Sequence, residues 1–110
     1  TRGDFMEIRV LKYFLTVAQE QSFSKAAKVL NVSQPALSKQ IKDLEEEYQI
    51  TLFNRTTRSL SLTEEGRLFK EQAKQIISLV NRTDSYLKNI NILVVIFILV
   101  VVKVKQIVLS

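Results

Sequence analysis

The 110-residue sequence contains no cysteine and no histidine. These absences exclude disulfides, thiol nucleophiles, Ser-His-Asp triads, histidine general bases and zinc sites built from Cys or His. A cysteine-free chain is also compatible with the reducing cytosol. Only two glycines and one proline are present, which argues against a turn-rich all-β protein and for helices. No pair of carboxylates converges at a spacing that suggests acid–base chemistry. The sequence therefore implies no enzyme, no metal and no cofactor. Its length allows one domain, large enough to bury a core without covalent staples.

What is present is basic charge, unevenly placed. Sixteen Lys and Arg against eleven Asp and Glu leave a net charge of +5. From Gln21 to Lys42 there is no acidic residue, and Lys25, Lys28, Lys39 and Lys42 contribute +4. From Tyr48 to Thr63 there is again none, with Arg55 and Arg58. Between these stretches lies an acidic knot of Asp43, Glu45, Glu46 and Glu47. The division suggests a basic face for a polyanionic partner, with a merely solvated surface as the alternative.

Met6 reads as a natural start, leaving residues 1–5 as an N-terminal extension. From Met6 to about Glu20, Ile8, Leu11, Leu15 and Ala18 recur at spacings of 3, 4 and 3, with Phe14 alongside. This predicts an amphipathic core helix. Ser22-Phe23-Ser24 is a helix start, with Ser24 as the expected N-cap. Ala26, Ala27 and Leu30 then face inward. Asn31 suits a left-handed turn. Ser33 is the expected cap of a third helix, with Pro35 in its first turn. Leu37, Ile41, Leu44 and Tyr48 form its inward stripe, and Gln34, Ser38, Lys39 and Lys42 lie opposite. Two short helices joined by a tight turn, at about residues 23–42, read as a helix-turn-helix.

The period then changes. Leu60 and Leu62 alternate with Ser59 and Ser61, as in a half-buried strand. Pairing with Leu52 and Phe53 would give a two-stranded wing with Arg55 and Arg58 near its tip. Thr63 is a good N-cap, and Glu64 and Glu65 suit the first turn of a long helix. Phe69, Ala73, Ile76, Val80, Thr83 and Leu87 follow at spacings of 4, 3, 4, 3 and 4, a heptad seam suited to a second copy. The alternative is that this helix lies on its own domain. The expected fold is thus mainly α: a winged helix-turn-helix over 6–63, then a linker and dimerisation helix over 64–89.

These residues resemble the N-terminal DNA-binding domain and linker helix of LysR-type transcriptional regulators. The resemblance rests on "SFSKAA", "SQPALSKQI", "LEEE", "LFNR" and "LTEEG", in order and at family-like spacing, and covers about three quarters of the chain. It implies a bacterial, cytoplasmic regulator that binds double-stranded DNA at an inverted repeat, as a homodimer or higher oligomer. RNA polymerase is a further partner of full-length members. By the same resemblance, Gln34, Pro35, Ser38 and Lys39 lie at the major groove. Family members commonly carry arginine at the position of Lys39, and often a glycine near Tyr48-Gln49-Ile50. Ser22, Ser24, Lys25 and Ser33 are expected near phosphates, with Lys42 as a further backbone candidate or general surface charge. Arg55 and Arg58 are candidates for the backbone or minor groove. The chemistry agrees: Gln pairs bidentately with adenine, and lysines on phosphates set register and affinity.

After Asn89 the resemblance stops, and the large effector-binding domain of the family does not follow. Ile92 to Val102 is an unbroken run of eleven apolar residues, followed by Lys103 and Lys105. Three readings of this tail over 90–110 stay open: a non-native end, β-strands against a second chain, or a membrane anchor. The first is favoured. The anchor is disfavoured because eleven residues fall short of the roughly 20 a bilayer requires. A rival to the DNA-binding reading is an interaction module that pairs its long helix with full-length regulators.

Overall fold

The computed structural model describes residues 6–110, so the proposed extension over 1–5 lies outside the described residues. The elements run α1 (Ile8–Glu20), α2 (Phe23–Leu30), α3 (Gln34–Tyr48), β1 (Phe53–Arg55), β2 (Leu60–Leu62) and α4 (Glu64–Leu109). The chain divides into two compact units, the first ending at Ile77 and the second comprising Ser78–Ser110.

In the first unit, each of the first three helices ends on a residue in the left-handed region. These are Gln21 at φ 54°, Asn31 at φ 59° and Gln49 at φ 57°. After α2, the Asn31 and Val32 amides donate to Lys28 and Ala27 carbonyls at 3.2 and 3.0 Å. After α3, the Gln49 and Ile50 amides donate to Glu46 and Glu45 carbonyls at 3.3 and 3.0 Å. Both ends are Schellman motifs, which satisfy orphan carbonyls while turning the chain sharply. Gln49 fills a left-handed position that glycine adopts without a Cβ penalty.

The N-cap of α2 differs from expectation. Ser22, extended at φ −165°, accepts the Lys25 amide at 3.1 Å. Ser24 lies inside the first turn and is exposed. Phe23 sets this start: its ring meets Phe53 edge-on at 5.8 Å, so it enters the helix at its first position. Ser33 caps α3 as expected, accepting the Ala36 amide at 3.2 Å.

Helices α1, α2 and α3 pack on one another. The core comprises Val10, Leu11, Phe14, Val17, Ala26, Ala27, Leu37, Ile41, Leu44, Leu52, Phe53 and Ala73. The buried stripe of α1 is rotated from the expected one. Val10, Leu11, Phe14 and Val17 are inside; Ile8 is exposed, and Leu15 and Ala18 are only half-buried. Phe14 sets that rotation, because it contacts Phe53 and Phe69 at centroid distances of 5.3 and 4.7 Å. The inward stripe of α3 also ends differently: Tyr48 is exposed, and Glu45 is buried in its place.

The wing is antiparallel, pairing Phe53 with Leu62, Asn54 with Ser61 and Arg55 with Leu60. Thr63 joins it to α4: its amide donates to Leu52 O at 3.0 Å, and its hydroxyl accepts the Gly66 amide at 2.9 Å. A Cβ on Gly66 would overlap the Leu52 carbonyl oxygen and stand 3.0 Å from Leu62 Cδ2. Glycine is therefore required for the first turn of α4 to lie against the strand. That docking turns Phe69 and Ala73 onto the core of their own unit.

The second unit is the remainder of α4, which continues past residue 89 to Leu109. The expected end of the helix at 89 is corrected here, and the tail is helical in the single chain. No glycine or proline follows Gly66, so nothing in the residues breaks the hydrogen-bond ladder. Every residue from Ser78 onward is exposed. Helix α4 is long and apolar enough to cross a membrane, with mean hydropathy 2.8 in its most apolar 18-residue window.

Candidate nucleic-acid interface

The turn Asn31-Val32-Ser33 sets the leading end of α3. Val32 is half-buried against the core, and Ser33 is spent on the cap. Gln34, Pro35, Lys39 and Lys42 are exposed, and Ser38 is half-buried. Spacings of three and four put Gln34, Pro35, Ser38, Lys39 and Lys42 on one side of the helix. Leu37, Ile41 and Leu44 hold the opposite side in the core. Anchoring of this kind fixes a recognition face without using the residues on it.

Electrostatics favour an anion at the same end. Neither α2 nor α3 has an acidic residue in its first turn. Their positive ends are therefore not neutralised from within, and Lys25 lies exposed in the first turn of α2. Helix α4 is the opposite case, with Glu64 and Glu65 in its first turn and an ion pair between Glu64 and Arg67. Lys39 reaches back to Asp43 at 2.9 Å, one turn on, with both side chains largely exposed. A surface pair of this kind is worth under about 1 kcal/mol, so a phosphate or base can draw the ammonium away.

The wing separates its two arginines. Thr56 and Ser59 close the tip, with the Thr56 amide donating to Ser59 O at 3.0 Å and the Ser59 amide to Thr56 Oγ1 at 2.9 Å. The Arg58 amide also lies 3.3 Å from Thr56 Oγ1, which places the Arg58 side chain on an exposed turn. Arg55 instead faces back into the unit. Its Nη2 lies 3.3 Å from Glu45 Oε1, and its guanidinium stacks over the Phe23 ring at 5.2 Å. Of the two wing candidates, Arg58 stands on the exposed tip and Arg55 is paired with Glu45 at the base of the wing.

Glu45 is the residue that sequence reasoning missed. Its Oε2 accepts the Leu52 amide at 2.7 Å and lies 3.4 Å from the Phe53 amide. Counted as one of four acids in a knot, it looked solvated. The available signal was its position: four residues after Ile41 and next to Leu44, it extends the buried stripe. The remaining members of the expected dimer seam divide as well. Phe69 and Ala73 pack within the protomer, whereas Ile76 at 38%, Val80 at 36% and Leu87 at 60% exposure stay uncovered, as does Thr83.

The chain is similar to known proteins. Residues 8–67 match the family described as "Bacterial regulatory helix-turn-helix protein, lysR family". The HTH-type transcriptional regulator BudR of Klebsiella aerogenes is 54% identical over 74 residues, covering 67% of this chain and 52% of that protein. BenM of Acinetobacter baylyi is 46% identical over 85 residues, covering 77% of this chain and 28% of BenM. Among solved structures, the BenM DNA-binding domain in complex with catB site 1 DNA superposes with a TM-score of 0.75. That match is 46% identical and covers 77% of this chain and 94% of that one. The CbnR DNA-binding domain–DNA complex gives 0.69 at 40% identity, covering 73% and 92%.

The chain belongs to the LysR family of bacterial regulatory helix-turn-helix proteins. Its winged helix-turn-helix is that family's DNA-binding domain. The chain spans about half the length of BudR and less than a third of BenM.

Proposed function

We propose that the chain binds double-stranded DNA sequence-specifically, as a homodimer at an inverted repeat, and regulates transcription in the cytoplasm. Helix α3 enters the major groove and presents Gln34, Pro35, Ser38 and Lys39 to base edges. Ser22, Ser24, Lys25, Ser33 and Lys42 lie toward phosphates, and Arg58 at the wing tip reaches the backbone or the adjacent minor groove. The action is binding alone, with no covalent step. Two-fold pairing through Ile76, Val80, Thr83 and Leu87 would set two recognition helices on successive major grooves.

The observation that carries this reading is the exposed, acid-free leading end of α3, held by a buried opposite face. Support comes from the neighbouring DNA complexes at 46% and 40% identity. The test is binding to a family-like inverted repeat and to a scrambled duplex over a salt series. Selective binding, with a slope of about −0.9 in log K against log salt for each phosphate contacted, is expected. Equal, weak binding to both duplexes would overturn the proposal and favour pairing with full-length regulators instead.

A further inference from the structure

The tail of α4 has no polar side over three turns. Ile92 to Val102 are consecutive apolar residues on a helix, and each is 46–69% exposed. At 3.6 residues per turn they cover the whole circumference. A second copy buries one stripe of such a helix and leaves the rest in water. A helix apolar all round is matched by a surrounding apolar medium. The residue types point the same way. Eight of these eleven are Val or Ile, which are indifferent helix formers in water. In hydrocarbon, where backbone groups must be satisfied within the segment, a helix is the form a single strand of chain takes.

Length and flanks complete the match. Ile90 to Leu109 is twenty residues of helix, or about 30 Å, equal to the hydrocarbon thickness of a bilayer. No acidic residue follows Asp84. Tyr86 and Lys88 precede the segment by about one turn, where an aromatic ring and an ammonium suit the headgroup level. Lys103 and Lys105 lie within two turns of Leu109. Lysine stems of this length can run along apolar surface and carry the ammonium groups to phosphate headgroups. The two lysines that follow the apolar run thus fall near the end of a continuous helix.

We infer that Ile90–Leu109 inserts into a lipid bilayer and tethers the DNA-binding unit to the cytoplasmic membrane face. The lipid is a second partner, independent of DNA. The test is flotation of the full chain with phosphatidylcholine vesicles, with and without added phosphatidylglycerol. The expected result is flotation with both vesicle types, resistant to high salt and to alkaline carbonate. The double variant Val95→Asp/Ile98→Asp should lower the vesicle-bound fraction by at least about tenfold, because each mid-helix aspartate opposes insertion strongly. Its DNA-binding unit should keep the parent circular dichroism and DNA affinity. Lys103→Leu/Lys105→Leu should float at least as well as the parent. Sedimentation as lipid-free aggregate, a discrete oligomer left in the aqueous fraction, or salt-sensitive binding to phosphatidylglycerol vesicles alone would each overturn the inference.

Discussion

Arg55 on β1 and Glu45 on α3 meet at 3.3 Å, ten residues apart in sequence. The same carboxylate takes the Leu52 amide at 2.7 Å. One acidic side chain therefore ties the last turn of α3 to the first strand of the wing. Arg58 lies beyond that tie, on the turn closed by Thr56 and Ser59.

The two partners should differ in their effect on stability. Glu45→Ala strands the buried Leu52 amide and should cost about 1–3 kcal/mol. Arg55→Ala removes only the exposed partner of a part-buried pair and leaves Glu45 its backbone donors, so it should cost less. Urea unfolding of the two variants checks this. Equal losses would mean that the ion pair, not the backbone acceptor, is the stabilising part.

Gly66→Ala should destabilise the first unit by at least about 1–3 kcal/mol, since the new Cβ meets a strand carbonyl that cannot move freely. Helix propensity alone predicts the reverse, a gain of about 1 kcal/mol. The sign of the shift in thermal midpoint separates packing from propensity.

Gln49→Gly should stabilise by up to about 1 kcal/mol, because the residue stands at φ 57°, where a Cβ is unfavourable. Gln49→Val should destabilise by more than that, as a β-branched residue tolerates this region poorly. Denaturant midpoints of the pair provide the check.

On DNA, Gln34→Ala or Ser38→Ala should erode preference for the operator over scrambled duplex by about 1–3 kcal/mol. Arg58→Ala should instead weaken binding to both and reduce the salt slope by about 0.9. A selective loss in Arg58→Ala would assign the wing a base-reading role.

Val80→Glu should shift the chain from dimer to monomer in mild detergent, measured by sedimentation, and lower affinity for a full inverted repeat more than for a half-site. Phe69→Ala should act differently. It removes a ring 4.7 Å from Phe14 and should cost about 3–5 kcal/mol of folding stability.

Much of this molecule is legible from local rules. The three short helices, the caps at Ser33 and Thr63, the left-handed Asn31 and the wing follow from spacing and turn chemistry over a few residues. So does the outward face of Gln34, Pro35, Ser38 and Lys39. These features are set within one or two turns of chain, where period and capping act. The phase of α1, the burial of Glu45, the tying down of Arg55 and the use of Phe69 and Ala73 inside the protomer are of another kind. Each depends on a partner distant in sequence: Phe53 and Phe69 for Phe14, the Leu52 amide for Glu45, the Leu52 carbonyl for Gly66. Periodicity names a stripe but not the neighbours that choose its centre, and those neighbours exist only once the helices have packed around the wing.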